Sequence, residues 1–85
     1  MSPRPQRGPD LSTYSGRLGA NMRQRREKLG LSVDEFRLKL AAEGVEVQNA
    51  AIYSWEIGRR VLTVETLPAV AKALGTTIRR LLPEA

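Results

Sequence analysis

The chain has 85 residues, a formal net charge of +5, and neither cysteine nor histidine. This length allows one small domain, and the missing residue types exclude disulfides, thiolate metal sites and the usual general base. No apolar run reaches the length of a membrane span, and the N-terminus lacks the apolar core of a signal peptide. We therefore expect a cytoplasmic protein that is not an enzyme, needs no metal or cofactor, and carries a charge suited to a polyanion.

The first twelve residues differ in composition from the rest of the chain. Residues 1–12 contain three prolines, one glycine and two arginines, with little apolar surface to bury. Prolines at this density exclude a helix, and a segment with few apolar side chains does not fold by itself. The sequence therefore predicts a flexible, disordered basic arm over residues 1–12, followed by a folded domain over residues 13–83.

Helix 1 is predicted to begin between Ser12 and Ser15 and to run to Leu29. Side chains three and four positions apart share one face of a helix. The residues with this spacing are Tyr14, Leu18, Met22, Arg26 and Leu29. Gly30 follows as a left-handed C-cap, so the pattern indicates an amphipathic helix with a defined end.

Helix 2 has the sharpest start signal in the chain. Ser32 and Glu35 have the spacing of a capping box, in which the side chain of each residue binds a backbone N–H of the other. The candidates for the buried side of this helix are Val33, Phe36, Leu38 and Leu40. Gly44 is predicted to end it.

Helix 3 is short and carries no charge on its outward side. It is predicted to begin at Gln48 or Asn49 and to end near Ile57, where Gly58 closes it. The residues with the spacing of an inward face are Ala51, Ile52 and Trp55. The residues left facing outward are Asn49, Ala50, Tyr53 and Ser54.

Two further helices are predicted in the last third of the chain. Thr63 is expected to cap helix 4 and Gly75 to end it, with an apolar series of Val64, Leu67, Val70, Ala71 and Leu74. Thr76 or Thr77 starts helix 5, and Pro83 ends it after Ile78, Leu81 and Leu82. No segment alternates apolar and polar residues as a strand would. The predicted fold class is therefore all-α, a compact domain of five helices.

Positive charge flanks an acidic middle. The net charge is +5 over residues 1–30, −3 over residues 31–58 and +3 over residues 59–85. Within the acidic part, the segment Val47–Trp55 has no charged residue. The clusters Arg23–Arg26 and Arg59-Arg60 favour contact with phosphate groups. The alternative for any single charge is an ordinary solvated helix face.

Taken together, these elements resemble the lambda-repressor/Cro-type helix-turn-helix family, also called the XRE family. The resemblance covers about Leu18 to Leu82. It is carried by Leu18-Gly19, Met22, Arg26, Gly30-Leu31-Ser32, Phe36, Leu40, Ile52, Glu56, Gly58, Thr63, Glu65-Thr66-Leu67, Ala71–Gly75 and Ile78–Leu82. It implies a lambda-repressor-like DNA-binding domain in which helices 2 and 3 form the helix-turn-helix.

The chain departs from the family pattern at four places, one of which is Arg25, where an apolar residue is common. Val33 stands where the family usually has a glutamine that contacts phosphate or braces helix 3, so that contact is lost or replaced. Arg37 stands where a small alanine is usual. Between Leu40 and Ile52 the chain has several residues more than the family norm, which lengthens either helix 2 or the turn.

The resemblance implies a role for each of the following residues. The base-contacting set is Gln48, Asn49, Ala50 and Tyr53. The phosphate-contacting set is Arg23, Ser32, Ser54, Arg59, Arg60 and Thr63. For Gln48, helix capping is an open alternative to base contact, and the Tyr53 hydroxyl could bond phosphate instead. Arg26 and Glu56 are expected to form a buried ion pair that joins helix 1 to the end of helix 3.

The function that the resemblance implies is sequence-specific binding of double-stranded DNA. We expect a transcriptional regulator, in particular a repressor, that reads the major groove with helix 3 and acts at the nucleoid as a homodimer on a palindromic operator. The alternative is an antitoxin or a protein-interaction module on the same fold, with a protein partner. The basic arm either enters a neighbouring minor groove or is an unselected flexible terminus.

Overall fold

Five helices are present in the part of the chain that the structure describes. The computed structural model describes residues 10–84, and its helices are α1 (Tyr14–Lys28), α2 (Val33–Ala42), α3 (Asn49–Glu56), α4 (Leu67–Ala73) and α5 (Ile78–Leu81). No strand occurs among these residues, so the predicted all-α fold of five helices is confirmed. Most of the predicted arm, residues 1–9, lies outside the described residues.

A hydrogen-bonded turn over residues 10–12, the last part of the predicted arm, leads into α1. The Asp10 carboxylate accepts from the hydroxyl (2.6 Å) and the backbone N–H (3.0 Å) of Ser12, and these bonds hold the pKa of Asp10 below its usual value. The Thr13 hydroxyl accepts from the N–H of Gly16 at 2.9 Å, so Thr13 is the N-cap of α1. The N–H of Asp10 donates to the carbonyl of Ile57 at 3.4 Å, which ties the turn to the end of α3.

Burial along α1 follows the predicted spacing only in the middle of the helix. Leu18, Met22 and Arg26 are buried, whereas Tyr14 and Leu29 at the two ends are exposed. The helix has 15 residues, while the two helices that pack against it, α3 and α5, have 8 and 4. These shorter helices cannot cover its whole length, so its end residues face solvent.

The capping box of α2 is formed as predicted. The Ser32 hydroxyl accepts from the N–H of Glu35 at 3.0 Å, and the Glu35 carboxylate accepts from the N–H of Ser32 at 2.8 Å. The prediction that Leu38 faces the core is wrong, because its side chain is 59% exposed. Leu38 lies two positions from both Phe36 and Leu40, which is about 200° around a helix, so it cannot share their buried face.

Replacing Ser32 with alanine is expected to lower the free energy of unfolding by about 1 kcal/mol, because one N–H at the start of α2 loses its partner. Urea unfolding followed by circular dichroism measures this change. Thr63→Ala is the control, since its exposed hydroxyl bonds only the hydroxyl of Thr66 and its loss is expected to change stability by less than about 0.5 kcal/mol. Equal effects of the two substitutions would show that the capping box contributes nothing specific.

The extra residues between helices 2 and 3 lie in the turn. α2 ends at Ala42, and residues 43–48 connect it to α3. Gly44 has a φ of 88°, a conformation that favours glycine, and the N–H of Val45 then bonds the carbonyl of Leu40 at 2.9 Å. Val45 and Val47 pack against the core. The longer connection is therefore anchored to the domain at two points before α3 begins.

α4 begins later than predicted. Its N-cap position is occupied by Thr66 without a side-chain capping bond, so the prediction that Thr63 caps this helix is wrong. Val64, predicted as part of the buried series, lies in the preceding turn and is 80% exposed. Pro68 is in the first turn of α4, where its missing N–H is tolerated. The proline therefore favours a helix start immediately before it.

One core joins all five helices. Its buried members are Leu18, Met22, Val33, Phe36, Leu40, Ile52, Trp55, Leu62, Val70, Ala71, Ala73, Leu74 and Leu81. α1 packs against α3 and α5, α2 packs against α3 and α4, and α4 packs against α5. α3 therefore lies between α1 and α2, and its remaining side faces away from the core.

Two glycines of α1 let the end of α3 approach closely. A methyl group at Gly19 would overlap the carbonyl oxygen of Trp55 and lie 2.6 Å from that of Glu56. Gly16 lies one turn before Gly19 in α1 and contacts Gly58, two residues after the end of α3. Gly58 has a φ of 81°, and a methyl group there would lie 2.5 Å from the Cα of Gly16. Only hydrogen fits at these positions, so the glycines set the distance between α1 and α3.

Candidate nucleic-acid interface

The outward side of α3 is polar and uncharged. Ala51, Ile52 and Trp55 form its buried side, as predicted. On the opposite side, Ala50 and Tyr53 are exposed, with Tyr53 at 55%, and Gln48, at the N-cap position before the helix, is exposed as well. Asn49 and Ser54, at the edges of this surface, are half-buried. Together, Gln48, Ala50 and Tyr53 form an exposed surface one helix wide, which we call the α3 surface.

Gln48 occupies the N-cap position of α3 but does not cap the helix with its side chain. Its backbone carbonyl accepts from the N–H of Ala51 at 3.0 Å, which closes the first turn. The alternative predicted for this residue was a side-chain capping bond, and Gln48 makes no such bond to the backbone of α3. The exposed carboxamide of Gln48 retains its donors and its acceptor for another partner.

The side chain of Asn49 is bound by two residues of α2. Its amide oxygen accepts from Nε of Arg37 at 3.1 Å, and its amide nitrogen donates to the Asp34 carboxylate at 2.9 Å. Arg37 also donates to the same carboxylate oxygen of Asp34 at 3.3 Å. The bond from Asn49 and, after it, the bond and charge of Arg37 hold the pKa of Asp34 below its usual value. We call these three residues the Asn49 cluster.

A buried ion pair joins α1 to the last residue of α3. Nε and Nη2 of Arg26 donate to the two carboxylate oxygens of Glu56 at 2.7 and 3.1 Å. Nη1 of Arg26 donates to the carbonyl of Leu31 at 2.8 Å. The bonds to Glu56 raise the pKa of Arg26 above its usual value although burial opposes this. Both side chains are almost fully buried, so Arg26 does not belong to the exposed basic surface.

Two arginines follow Ile57 and Gly58 at the end of α3. Arg59 and Arg60 are exposed, and their backbone N–H groups donate to the carbonyl of Ser54 at 2.9 and 3.2 Å. These bonds close the C-terminal end of α3 and determine where the chain leaves it. Two positive charges are therefore present at one end of the otherwise uncharged α3 surface.

Three of the other four predicted phosphate contacts, Ser32, Thr63 and Arg23, already have partners within the chain. The Ser32 hydroxyl is part of the capping box of α2, and the Thr63 hydroxyl bonds that of Thr66 at 2.8 Å. Nε of Arg23 pairs with the Glu27 carboxylate at 3.0 Å on the exposed side of α1. The two hydroxyls remain exposed and can accept or donate a further bond, whereas Glu27 offsets the charge of Arg23.

The described residues show neither of two other kinds of site. Residues 10–84 contain no group of acidic side chains arranged to hold a metal ion. None of their helices has the length and apolar character needed to cross a membrane.

The contribution of α2 to this surface was not predicted from the sequence. Arg37 was interpreted only as a departure from the family's alanine, and no role was predicted for Asp34. The three-residue spacing of these opposite charges on one helix is a recognisable ion-pair signal. Their contact with Asn49 was not predictable, because it depends on how residues 43–48 return the chain to α2.

Comparison with known proteins agrees with this geometry. A protein-family model described as "Helix-turn-helix" matches residues 22–81, which run from the middle of α1 to the end of α5. No curated protein and no solved structure matches the chain. The family match covers more than half of the chain, and two successive helices of which the second has an exposed face are the arrangement that helix-turn-helix proteins share. The chain therefore belongs to the lambda-repressor/Cro-type (XRE) helix-turn-helix family, a family of DNA-binding regulators.

Proposed function

We propose that this protein is a transcriptional regulator that binds double-stranded DNA at specific sequences and inserts α3 into the major groove. The observation that carries the proposal is the α3 surface, which is uncharged and exposed and has Arg59 and Arg60 at its end. The major groove is wide enough for one helix and displays a distinct pattern of donors and acceptors for each base pair. An uncharged polar helix face reads this pattern, while the adjacent arginines bind the phosphates.

Four residues contribute the base contacts in this proposal. The carboxamides of Gln48 and Asn49 each offer a donor and an acceptor, the combination that pairs with adenine. The methyl group of Ala50 contacts the methyl group of thymine. Tyr53 lies one helical turn further along the same side and contacts the neighbouring base or its phosphate. A good pair of this kind discriminates between bases by about 1–3 kcal/mol.

The phosphate contacts come from residues around the α3 surface. Arg59 and Arg60 supply charge at the end of α3. The hydroxyls of Ser32, Ser54 and Thr63 supply neutral hydrogen bonds, and Arg23 adds a weaker charge because Glu27 pairs with it. Contacts to phosphate determine affinity and register but carry no sequence information.

The protein acts as a repressor when it covers a promoter and blocks polymerase. One copy of α3 reads only half of a site, so we propose a homodimer on a palindromic operator whose half-sites are about 34 Å apart. Duplexes that contain one half-site or two test this arrangement. A dimer binds the double site with an apparent affinity much higher than that for the single site, whereas a monomer binds each half-site equally.

Selection of bound duplexes from a random pool tests the proposed function. We expect enrichment of a short palindromic sequence, which then binds with a steep dependence on salt concentration. The selected duplex and a scrambled one are compared over rising salt. Failure to enrich any sequence, together with weak duplex binding at low salt, would contradict the proposal and favour the protein-interaction module.

Arg60→Ala and Asn49→Ala are expected to weaken binding in different ways. Loss of Arg60 removes one phosphate contact, so affinity falls for every duplex and the salt slope decreases by about 0.9. Loss of the Asn49 carboxamide instead reduces preference at one base pair. Titrations of the selected duplex and its single-base variants separate the two effects.

Arg79→Ala is the matched control, because it removes the same charge from an exposed position on α5, a helix that packs against α1 and α4. We expect Arg79→Ala to leave the base preference unchanged and the salt slope close to that of the parent protein. Identical effects of Arg60→Ala and Arg79→Ala would mean that net charge, not position, determines binding.

A further inference from the structure

The Asn49 cluster connects α2 to the first residue of α3 entirely through side chains. Asn49 bonds both Arg37 and Asp34, and these two residues also bond each other. Asp34 and Arg37 lie on consecutive turns of α2, with the connection 43–48 between them and Asn49. The cluster therefore bridges the two helices of the helix-turn-helix at the end where α3 begins.

The chemistry of the two neighbours fixes the orientation of the Asn49 carboxamide. The Arg37 guanidinium can only donate a hydrogen bond, and the Asp34 carboxylate can only accept one. The amide oxygen must therefore face Arg37 and the amide nitrogen must face Asp34. A flipped carboxamide would place oxygen against oxygen and N–H against N–H, and both hydrogen bonds would be lost.

We propose that Asp34 and Arg37 are positioning residues that hold the Asn49 carboxamide in one orientation and thereby determine base preference at the start of α3. This inference rests on the proposed function. The bound carboxamide still has one N–H and one oxygen lone pair unused within the cluster. Adenine requires one donor and one acceptor in a given order, and the fixed orientation presents them in a single order.

The same cluster keeps the local charge balanced. Arg37 offsets the Asp34 carboxylate, which would otherwise repel the phosphates of bound DNA. Arginine is suited to this position because its planar fork reaches two acceptors at once, Asn49 through Nε and Asp34 through Nη2. A lysine at position 37 keeps the charge but places its donors on a single flexible nitrogen.

Asp34→Asn and Asp34→Ala form a pair matched in charge. Both variants remove the negative charge, but only asparagine keeps an oxygen that can accept from the Asn49 amide. We expect both to bind duplexes that lack the preferred base pair more tightly than the parent protein does. We expect Asp34→Asn to keep most of the preference at the base pair where Asn49→Ala loses it, and Asp34→Ala to lose about tenfold of that preference.

Arg37→Lys tests the other half of the cluster. Because the charge is kept, we expect the salt slope to stay unchanged while the preference at the same base pair falls. The double variant Asp34→Ala with Asn49→Ala is expected to lose no more base preference than Asn49→Ala alone. Residues that act through one carboxamide are not additive.

The orientation of the Asn49 carboxamide can be tested by NMR in the free protein, without DNA. The side-chain NH₂ of Asn49 in the ¹⁵N NMR spectrum is expected to exchange slowly with water, and the proton that faces Asp34 is expected to be shifted downfield by its hydrogen bond. Both features are expected to be lost in Asp34→Ala but kept in Asp34→Asn.

If Asp34→Ala keeps the parent's base preference while Asn49→Ala loses it, the positioning role is overturned and the proposed function stands. If no variant of Asn49 changes base preference, both the positioning role and the assignment of Asn49 as a base contact are wrong. If the duplex selection fails, the proposed function itself is wrong, and the NMR signal then shows only whether the cluster exists in solution.

Discussion

Replacing Arg26 with alanine is expected to lower the free energy of unfolding by about 3–5 kcal/mol. The substitution leaves the Glu56 carboxylate buried without its partner and deprives the Leu31 carbonyl of a donor. A charge stranded in the interior costs far more than the lost attraction alone. Urea unfolding followed by the fluorescence of the buried Trp55 measures the change.

The control for this prediction lies one helical turn earlier in α1. Arg23 also pairs with a glutamate, Glu27, but the side chains are 44% and 55% exposed. Exposed pairs of this spacing contribute about 0.3–0.5 kcal/mol, so Arg23→Ala is expected to have a small effect. Both substitutions remove an arginine from α1, so the difference between their effects on stability measures the consequence of burying the charge.

Replacing both members of the buried pair tests the cause. The double variant Arg26→Met with Glu56→Met removes both charges and is expected to be more stable than Arg26→Ala alone, because no unpaired charge remains. Equal stability of Arg26→Ala and Arg23→Ala would contradict the assignment of Arg26 and Glu56 as a structural pair. It would return Arg26 to the set of candidate phosphate contacts.

Gly19→Ala is expected to destabilise the domain by about 3 kcal/mol, because the new methyl group cannot be accommodated without moving α3 away from α1. The methyl group would overlap the carbonyl oxygen of Trp55 and lie 2.6 Å from that of Glu56. Both are backbone atoms and cannot turn aside as a flexible side chain would. Helix propensity alone predicts the opposite sign, since alanine in a helix is favoured over glycine by about 1 kcal/mol.

Gly30→Ala is the comparison for Gly19→Ala. At Gly30 an added methyl group has no neighbour within 4 Å, but φ is 73°, so the cost is the backbone strain of about 1–2 kcal/mol. Thermal unfolding of both variants measures the difference. A Gly19→Ala protein that is as stable as the parent would show that the backbones of α1 and α3 are not in contact at Gly19 in solution.

Signals carried by neighbouring residues were predicted reliably. The capping box of Ser32 and Glu35, the end of α2 before Gly44 and the inward series of α3 all follow from spacing within a single helix, so no knowledge of the rest of the fold was required. The start of α4 was not predicted. Two threonines, Thr63 and Thr66, both precede Leu67, the first residue of α4, and the position of Pro68 favours the second.

Patterns among neighbouring residues were enough to predict the class of fold, the number of helices and which side of α3 faces outward, because each depends on hydrogen bonds and apolar spacing within a few residues. The partners of Asn49 could be identified only in the folded domain, since Asp34 and Arg37 precede it by 15 and 12 residues. Such contacts depend on the path of the turn that brings two distant segments of the chain together. Periodicity along one helix contains no information about that path.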